Sequence, residues 1–208
     1  PTLNPDGRDR HSQWANQYKS INLVADSNDA EHNESWPRGR TNHYWFDLNR
    51  DWLLAIHPES RGKLNWLHEW YPNVVLDVHE MGTNSNYFFD PMKSSASVKP
   101  LIPQENVDLY PIFAEYYVKY MDSIGSFYYT KESFDETYPG YGSTYSDLQG
   151  GLALLFEQAS SRGHVQETNY GEMTFGFTIR NQFLNGIATV EAAVDNKILL
   201  RDYQKRFF

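Results

Sequence analysis

The sequence predicts an α/β fold: a mixed, mostly parallel sheet with helices on both faces. Three observations carry this. Two short runs, VVLDV at 74–78 and LALLF at 152–156, are apolar with little alternation, as strands buried on both faces are. Stretches with helical spacing follow each of them, so strands and helices alternate as in sheets covered on two sides. At 208 residues the chain suits a single domain, 1–208, large enough for a real core.

Residues 1–50 are rich in Asn, Asp, Arg and Gly and read as loop. Within them NPDG, at 4–7, reads as a tight turn, and the acidic stretch at 26–35 reads as a solvated excursion. Pro58 suits a first helical turn, and Leu64, Leu67 and Trp70 form an apolar stripe that Pro72 ends. The strand at 74–78 follows, then a second short strand at 86–89 bounded by Asp90 and Pro91. Between 104 and 124, Leu109, Ile112, Phe113, Tyr116, Tyr120 and Ile124 keep helical spacing, with Pro111 placed to kink or shift the start. Gly150 and Gly151 introduce the strand at 152–156. Ile179, Phe183, Ile187, Val190 and Val194 then mark a long C-terminal helix with an apolar stripe.

A net charge of −9 with scattered Lys and Arg argues against a nucleic-acid partner, which calls for clustered positive charge. No apolar run approaches the ~20 residues that span a bilayer, so no membrane partner is expected. The N-terminus, PTLNPDGRDR, shows neither a basic leader nor an apolar signal core, and it starts at Pro1, as a chain cut from something longer would. The absence of cysteine removes disulfides, thiolate metal sites and cysteine nucleophiles together. Fifteen Tyr and six Trp fit either heavy core packing or a groove for peptide or sugar. Composition leaves the oligomeric state open.

Two polar residues stand where the predicted strands run out: His79 after VVLDV and Glu157 after LALLF. His79 reads either as a satisfied structural histidine or as a metal ligand, with Asp77 on the same strand face placed to orient its ring. A carboxylate closing an apolar run is costly without a partner or a raised pKa. Glu157 is therefore either a buried ion-pair member or a general base. In HYWFDLNRDW, at 43–52, Arg50 and Asn49 sit among large aromatics. Arg50 is able to clamp a carboxylate through two parallel hydrogen bonds while Asn49 adds a donor; equally, Arg50 could pair with Asp47 or Asp51.

NPDG, DLNR, a strand ending in D-x-H, YPGYG and a strand ending in a lone Glu stand in this order from Asn4 to Gln158. The ordered set resembles the zinc carboxypeptidases of the carboxypeptidase A type. The resemblance implies a zinc-dependent metallocarboxypeptidase, a hydrolase acting on the C-terminal peptide bond of peptides with a free C-terminus. It makes His79 a zinc ligand and Glu157 the general base and acid acting on zinc-activated water. Asn49 and Arg50 match the pair that grips the terminal carboxylate. Arg40 matches in spacing the arginine that stabilises the developing oxyanion, with Arg38 the fallback. Tyr138 corresponds to the mobile tyrosine that closes over substrate, with Tyr141 the alternative. The residues from Ser143 to Asp147 border the pocket for the terminal side chain, where Asp147 either selects basic residues or caps a turn.

The family's other two zinc ligands come from an HxxE upstream of NPDG, and only three residues precede Asn4 here. One HxxE does occur, His164 to Glu167, but it follows the Glu157 strand in a Gly-flanked loop. His43, His57 and His68 have no ligand spacing and read as structural or exposed. The expectation is a truncated domain, one zinc ion in the intact enzyme, and weak or absent zinc and no activity in this chain alone. Two alternatives remain: a zinc deacylase of N-acyl amino acids, and a catalytically inactive peptide-binding domain. The resemblance also implies export, hence an extracytoplasmic location, periplasmic or secreted.

Overall fold

The computed structural model describes residues 3–92, 101–132, 134 and 138–208. In chain order they form α1 (Pro5–Tyr18), β1 (Val74–Met81) after α2 (Pro58–Trp70), then β2 (Tyr87–Phe89), α3 (Gln104–Val107), α4 (Leu109–Ser123) and α5 (Gly142–Tyr145). β3 (Leu152–Ala159), a hairpin of β4 (Val165–Thr168) and β5 (Gly171–Thr174), α6 (Phe175–Asp195) and α7 (Lys197–Phe207) complete the chain. Short 3-10 turns cover Ala30–His32, Leu48–Arg50 and Ser146–Gln149. No helix among the described residues is long and apolar enough to cross a membrane.

The fold class is the expected mixed α/β. β3 is central, with β1 parallel on one side and β2 antiparallel on the other. Leu152, Leu154 and Phe156 of β3 pack with Tyr87 and Phe89 of β2 against Phe113, Tyr117 and Met121 of α4 and Ala188 and Ala192 of α6. Each such large side chain contributes about 1.5–3 kcal/mol by leaving water. Beneath the opposite face a smaller cluster joins Trp52, Leu64 and Leu67 of α2, and Tyr145 of α5, to Val75. Helices thus lie on both faces.

Several elements differ from the sequence expectation. NPDG is no turn between loops: the Asn4 side chain accepts the Gly7 N–H at 3.0 Å and Pro5 takes the first helical position, so the motif starts α1. The acidic stretch is not wholly solvated, because Glu31 and His32 are buried. Glu31 accepts the His164 N–H at 2.7 Å and also contacts His164 Nδ1, tying residue 31 to the strand that follows β3. The helix expected over 104–124 breaks at Asp108. Pro111 is the third residue of α4, where its missing N–H has no intrahelical partner to lose. Trp70 is exposed although Leu64 and Leu67 are buried.

The expected C-terminal helix forms as α6, and the face it buries is not its most apolar one. That face carries Thr178, Asn181, Asn185, Ala188, Thr189 and Ala192, and the stripe of Ile179, Phe183, Ile187, Val190 and Val194 points outward. Small and amide side chains suit the inner face because they bond the sheet and α4. Asn181 Nδ2 donates to Gln158 Oε1 at 2.9 Å and to Ser126 Oγ at 3.0 Å, and Thr189 Oγ1 meets Tyr117 Oη at 3.0 Å.

Candidate active site

Parallel pairing of β1 with β3 sets His79 opposite Glu157 at the strands' C-terminal ends, where open α/β sheets place their ligands. Two residues earlier Asp77 points the same way, and its Oδ1 lies 2.8 Å from His79 Nε2. Asp77 Oδ2 accepts Asn49 Nδ2 and the Ser143 N–H, each at 3.0 Å. Burial pulls the Asp77 carboxyl upward, but the bonds from His79, Asn49 and Ser143 outweigh it and hold the group below the usual carboxylate value.

Asn49 is the hub of this network. Its Oδ1 accepts Trp52 Nε1 and the Gly142 N–H, each at 2.8 Å, which fixes the amide orientation and directs Nδ2 at Asp77 and His79. Gly142 must lack a side chain, since a Cβ there would lie 2.7 Å from Asp77 Oδ2. The turn Leu48–Arg50 that presents Asn49 is capped by Asp47, whose Oδ1 accepts the Asn49 N–H at 2.9 Å.

The Asp77 and Arg40 contacts favour one tautomer of His79, in which the Asn49 Nδ2 hydrogen goes to Asp77 rather than to the ring nitrogen 2.8 Å away. Nε2–H donates to Asp77, and Nδ1 keeps its lone pair toward Arg40, whose Nη1 lies 3.3 Å away. Burial lowers the His79 pKa, but Asp77 and then Glu157 more than compensate, so the ring titrates above the ordinary histidine value despite Arg40. Arg40 is itself anchored by Nε to Asp47 Oδ2 at 2.9 Å.

Glu157 is held differently. Its Oε2 is buried and has no hydrogen-bond partner among the described residues. Desolvation, with Asp77 and Glu80 adding, raises its pKa against the opposing pull of His79 and Arg40. A carboxylate so placed is poised to take up a proton.

Arg50, Tyr138 and Tyr141 form an adjoining group. The Arg50 guanidinium lies 4.2 Å from the Tyr141 ring centroid, donates to Asn49 O at 2.8 Å and stands 3.6 Å from Asp47 Oδ2. Tyr138 is exposed, with its hydroxyl donating to Arg50 O at 3.3 Å. The two tyrosine rings meet edge to face at 5.2 Å. Tyr44, Trp45 and Phe46, which precede DLNR, are exposed rather than packed around it.

His79 and Arg40 open into a cleft of about 1310 Å³ that Arg38 also lines. Asp147 is buried, accepting the Ala153 N–H at 2.8 Å and Tyr110 Oη at 2.7 Å, so it braces the start of β3 and reads no substrate. His164 and Glu167 are no chelating pair: they sit on and beside strand β4, and His164 is bound to Glu31.

Sequence reasoning missed Trp52 and Lys63. Lys63 is buried with Nζ 3.6 Å from the Trp52 ring centroid, and burial lowers its pKa to about 8 against the pull of Asp77, Asp51 and Asp47. A signal existed, since Lys63 precedes Leu67 by one helical step and so lies on the buried stripe. Spacing could not have paired His43 with Asp6, 3.0 Å apart, or brought Glu59 within 4.8 Å of both. That trio is the one group of three ligand-type side chains drawn together among the described residues, and it excludes His79.

His79 suits a metal, having an oriented imidazole with a carboxylate on its far nitrogen. It is one ligand where zinc uses three or four from protein.

No family model and no curated protein matches the sequence. Among solved structures the chain is similar to a metallo-carboxypeptidase from Burkholderia cenocepacia, with a TM-score of 0.55 and 18% identity over 76% of this chain and 40% of that one. It is also similar to a carboxypeptidase-like protein from Burkholderia mallei ATCC 23344, with a TM-score of 0.53 and 16% identity over 78% of this chain and 41% of that one. At such identities the likeness shows the fold, which is that of the metallo-carboxypeptidases. The chain spans about two fifths of the length of these neighbours.

Proposed function

We propose that this chain carries much of the active site of a zinc-dependent metallocarboxypeptidase of the carboxypeptidase A type, which releases the C-terminal residue of peptides. One observation supports this above the others: His79, oriented by Asp77, stands opposite a half-buried Glu157 whose Oε2 is buried without a hydrogen-bond partner among the described residues. His79 would hold zinc through Nδ1 together with ligands from outside the 208 residues. Zinc bound there supplies Lewis acidity that acidifies water and polarises a carbonyl.

The chain's own residues then divide the work. Asp77 keeps the proton on Nε2, leaving Nδ1 free as a ligand atom. Glu157 accepts a proton from the attacking water and returns it to the leaving amine, a task its raised pKa favours. Arg40 directs its guanidinium at the oxyanion that develops on the scissile carbonyl. Arg50, with Asn49 beside it, reads the terminal carboxylate, which fixes the bond presented. Asn49 would have to release a present partner to join in. Tyr138, or Tyr141 in its place, closes over the bound peptide.

The test is an assay of the native-length protein on peptides with free and amidated C-termini. Cleavage of free C-termini is expected, and Arg50→Ala should abolish the preference; equal turnover of both peptides defeats the role of Arg50. Turnover of N-acyl amino acids but not of peptides would favour a deacylase. The single zinc ligand keeps an inactive binding domain as the second reading, and metal-independent binding of free-carboxylate peptides without turnover would establish it.

A further inference from the structure

Lys63 is a buried cation that the proposed chemistry leaves unused. It lies in the middle of α2 and is 7% exposed, where lysine is seldom found without an ion-pair partner. Taking an ammonium out of water is costly, and a Met side chain would fill the space without that cost. The carboxylates that act on Lys63 are Asp77 of β1 and Asp51 and Asp47, which flank the Leu48–Arg50 turn. Each of them is bonded elsewhere. Asp77 binds His79, Asn49 and Ser143, and Asp51 accepts the N–H groups of Ile56 and His57 at 3.0 and 2.9 Å. Asp47 holds Arg40 and caps the turn. The close partner of the ammonium is instead the face of Trp52, with Nζ 3.6 Å from the ring centroid.

That ring leads directly to the site. Trp52 is buried, its Nε1–H donates to Asn49 Oδ1 at 2.8 Å, and a Cβ added to Gly142 would lie 2.9 Å from its Cζ2. Because Asn49 Oδ1 accepts both the indole and the Gly142 N–H, the amide is turned so that Nδ2 faces Asp77. A cation on an indole face draws electron density from the ring and makes the N–H a stronger donor. Lys63, Trp52, Asn49 and Asp77 therefore form one chain of contacts that ends at the His79 imidazole. Tyr145 of α5 flanks the same indole at 5.8 Å, and burial raises its phenol pKa above the ordinary tyrosine value.

We propose that Lys63 is a positioning residue of the candidate site, whose ammonium fixes the Trp52 indole and through it the orientation of the Asn49 amide. The inference rests on the proposed function for any effect on turnover, whereas its effect on the indole does not depend on that reading. The hold is charge-dependent. Burial lowers the Lys63 pKa to about 8, so the charge on the ring face is present below that value and is lost as pH rises through it. Without the charge the indole N–H donates more weakly, and the Asn49 amide is held less firmly. Arg at 63 would keep a cation on the ring at every working pH, and Met at 63 would keep the bulk without the charge.

The test follows the Trp52 indole N–H by NMR in native-length protein carrying isotope-labelled tryptophan, the signal being the one lost in Trp52→Phe. In the wild type it should move as pH rises, with a midpoint near about 8. It should not titrate in Lys63→Arg or Lys63→Met, and in Lys63→Met it should sit where the wild-type signal lies at alkaline pH. On peptides with free C-termini, Lys63→Met should lower kcat/KM at least ~10-fold and Lys63→Arg should restore it to within ~3-fold, since a misplacement of about 1 Å can cost a hundredfold. A wild-type signal that stays fixed across this range, which no variant has to fold to show, overturns the proposal. So does a signal that titrates equally in Lys63→Met, turnover by Lys63→Met equal to wild type, or an equal loss in Lys63→Met and Lys63→Arg. If the native-length protein cleaves no peptide, the proposed function fails, and the Trp52 titration alone then decides this inference.

Discussion

Replacing Asp77 by Asn tests the network at its centre. Asp77 accepts three hydrogen bonds through two oxygens: His79 Nε2 at 2.8 Å on one, and Asn49 Nδ2 and the Ser143 N–H at 3.0 Å on the other. Asn offers one acceptor. If it stays with Asn49 and Ser143, its NH2 faces His79, which must move its proton to Nδ1 and there meets a donor on Arg40. The lost bond is charge-assisted and stabilises by about 1.5–3 kcal/mol when His79 is protonated. Because the folded His79 pKa is raised, that stabilisation is fully present below the ordinary histidine value and is lost as pH rises through the folded value. Urea unfolding of metal-free Asp77→Asn should therefore show about 1.5–3 kcal/mol of destabilisation near pH 5.5 and clearly less near pH 9. Long-range nitrogen–proton NMR should report the switch from Nε2–H to Nδ1–H. An equal loss at both pH values with an unchanged tautomer would refute the reasoning.

Glu157→Gln should stabilise the metal-free protein at pH 7 by about 1 kcal/mol, because it removes a half-buried charge whose Oε2 has no hydrogen-bond partner among the described residues. The raised folded pKa means that stability is lost as pH rises from the ordinary glutamate value through the folded one, so the gain should vanish near pH 4 in the same unfolding assay. Gly142→Ala puts a methyl 2.7 Å from Asp77 Oδ2 and 2.9 Å from Trp52 Cζ2, and calorimetry should show a loss of about 1–3 kcal/mol. Elemental analysis after dialysis should find well under one equivalent of zinc in the 208-residue chain and one equivalent in the native-length protein, since one histidine cannot hold zinc tightly.

Both strands that meet at the site were legible, because VVLDV and LALLF are unbroken apolar runs and the polar residue ending each is conspicuous against them. Their parallel register, which puts His79 opposite Glu157, is a long-range fact that no local pattern encodes. α1 was hidden because Asn-Pro-Asp-Gly serves equally as a turn and as a helix start, and the residues after it carry little apolar periodicity. The β4–β5 hairpin was hidden by its brevity and polarity. α6 was legible as a helix from its apolar stripe, but the face it buries was not. Apolar periodicity reports which face avoids water, and the described residues include nothing that covers that face.

The DLNR segment changes meaning when its neighbours are visible. Read alone, Asn49 and Arg50 are two donors side by side. In the fold, the Asn49 amide bonds three separate elements, Asp77 on β1, Gly142 at the start of α5 and Trp52 beyond the turn, while its Nδ2 stands 2.8 Å from His79 Nε2. Arg50 follows directly, stacked on Tyr141 from the loop that Gly142 closes. One amide therefore fixes the distance between the imidazole of β1 and the guanidinium of the turn, two groups far apart in sequence. Catalysis that depends on holding a terminal carboxylate and a scissile bond in register needs such a fixed span, because a misplacement of about 1 Å can cost a hundredfold in rate. Substituting Asn49 should consequently disturb ligand orientation and carboxylate recognition together, whereas substituting Arg50 should disturb recognition alone.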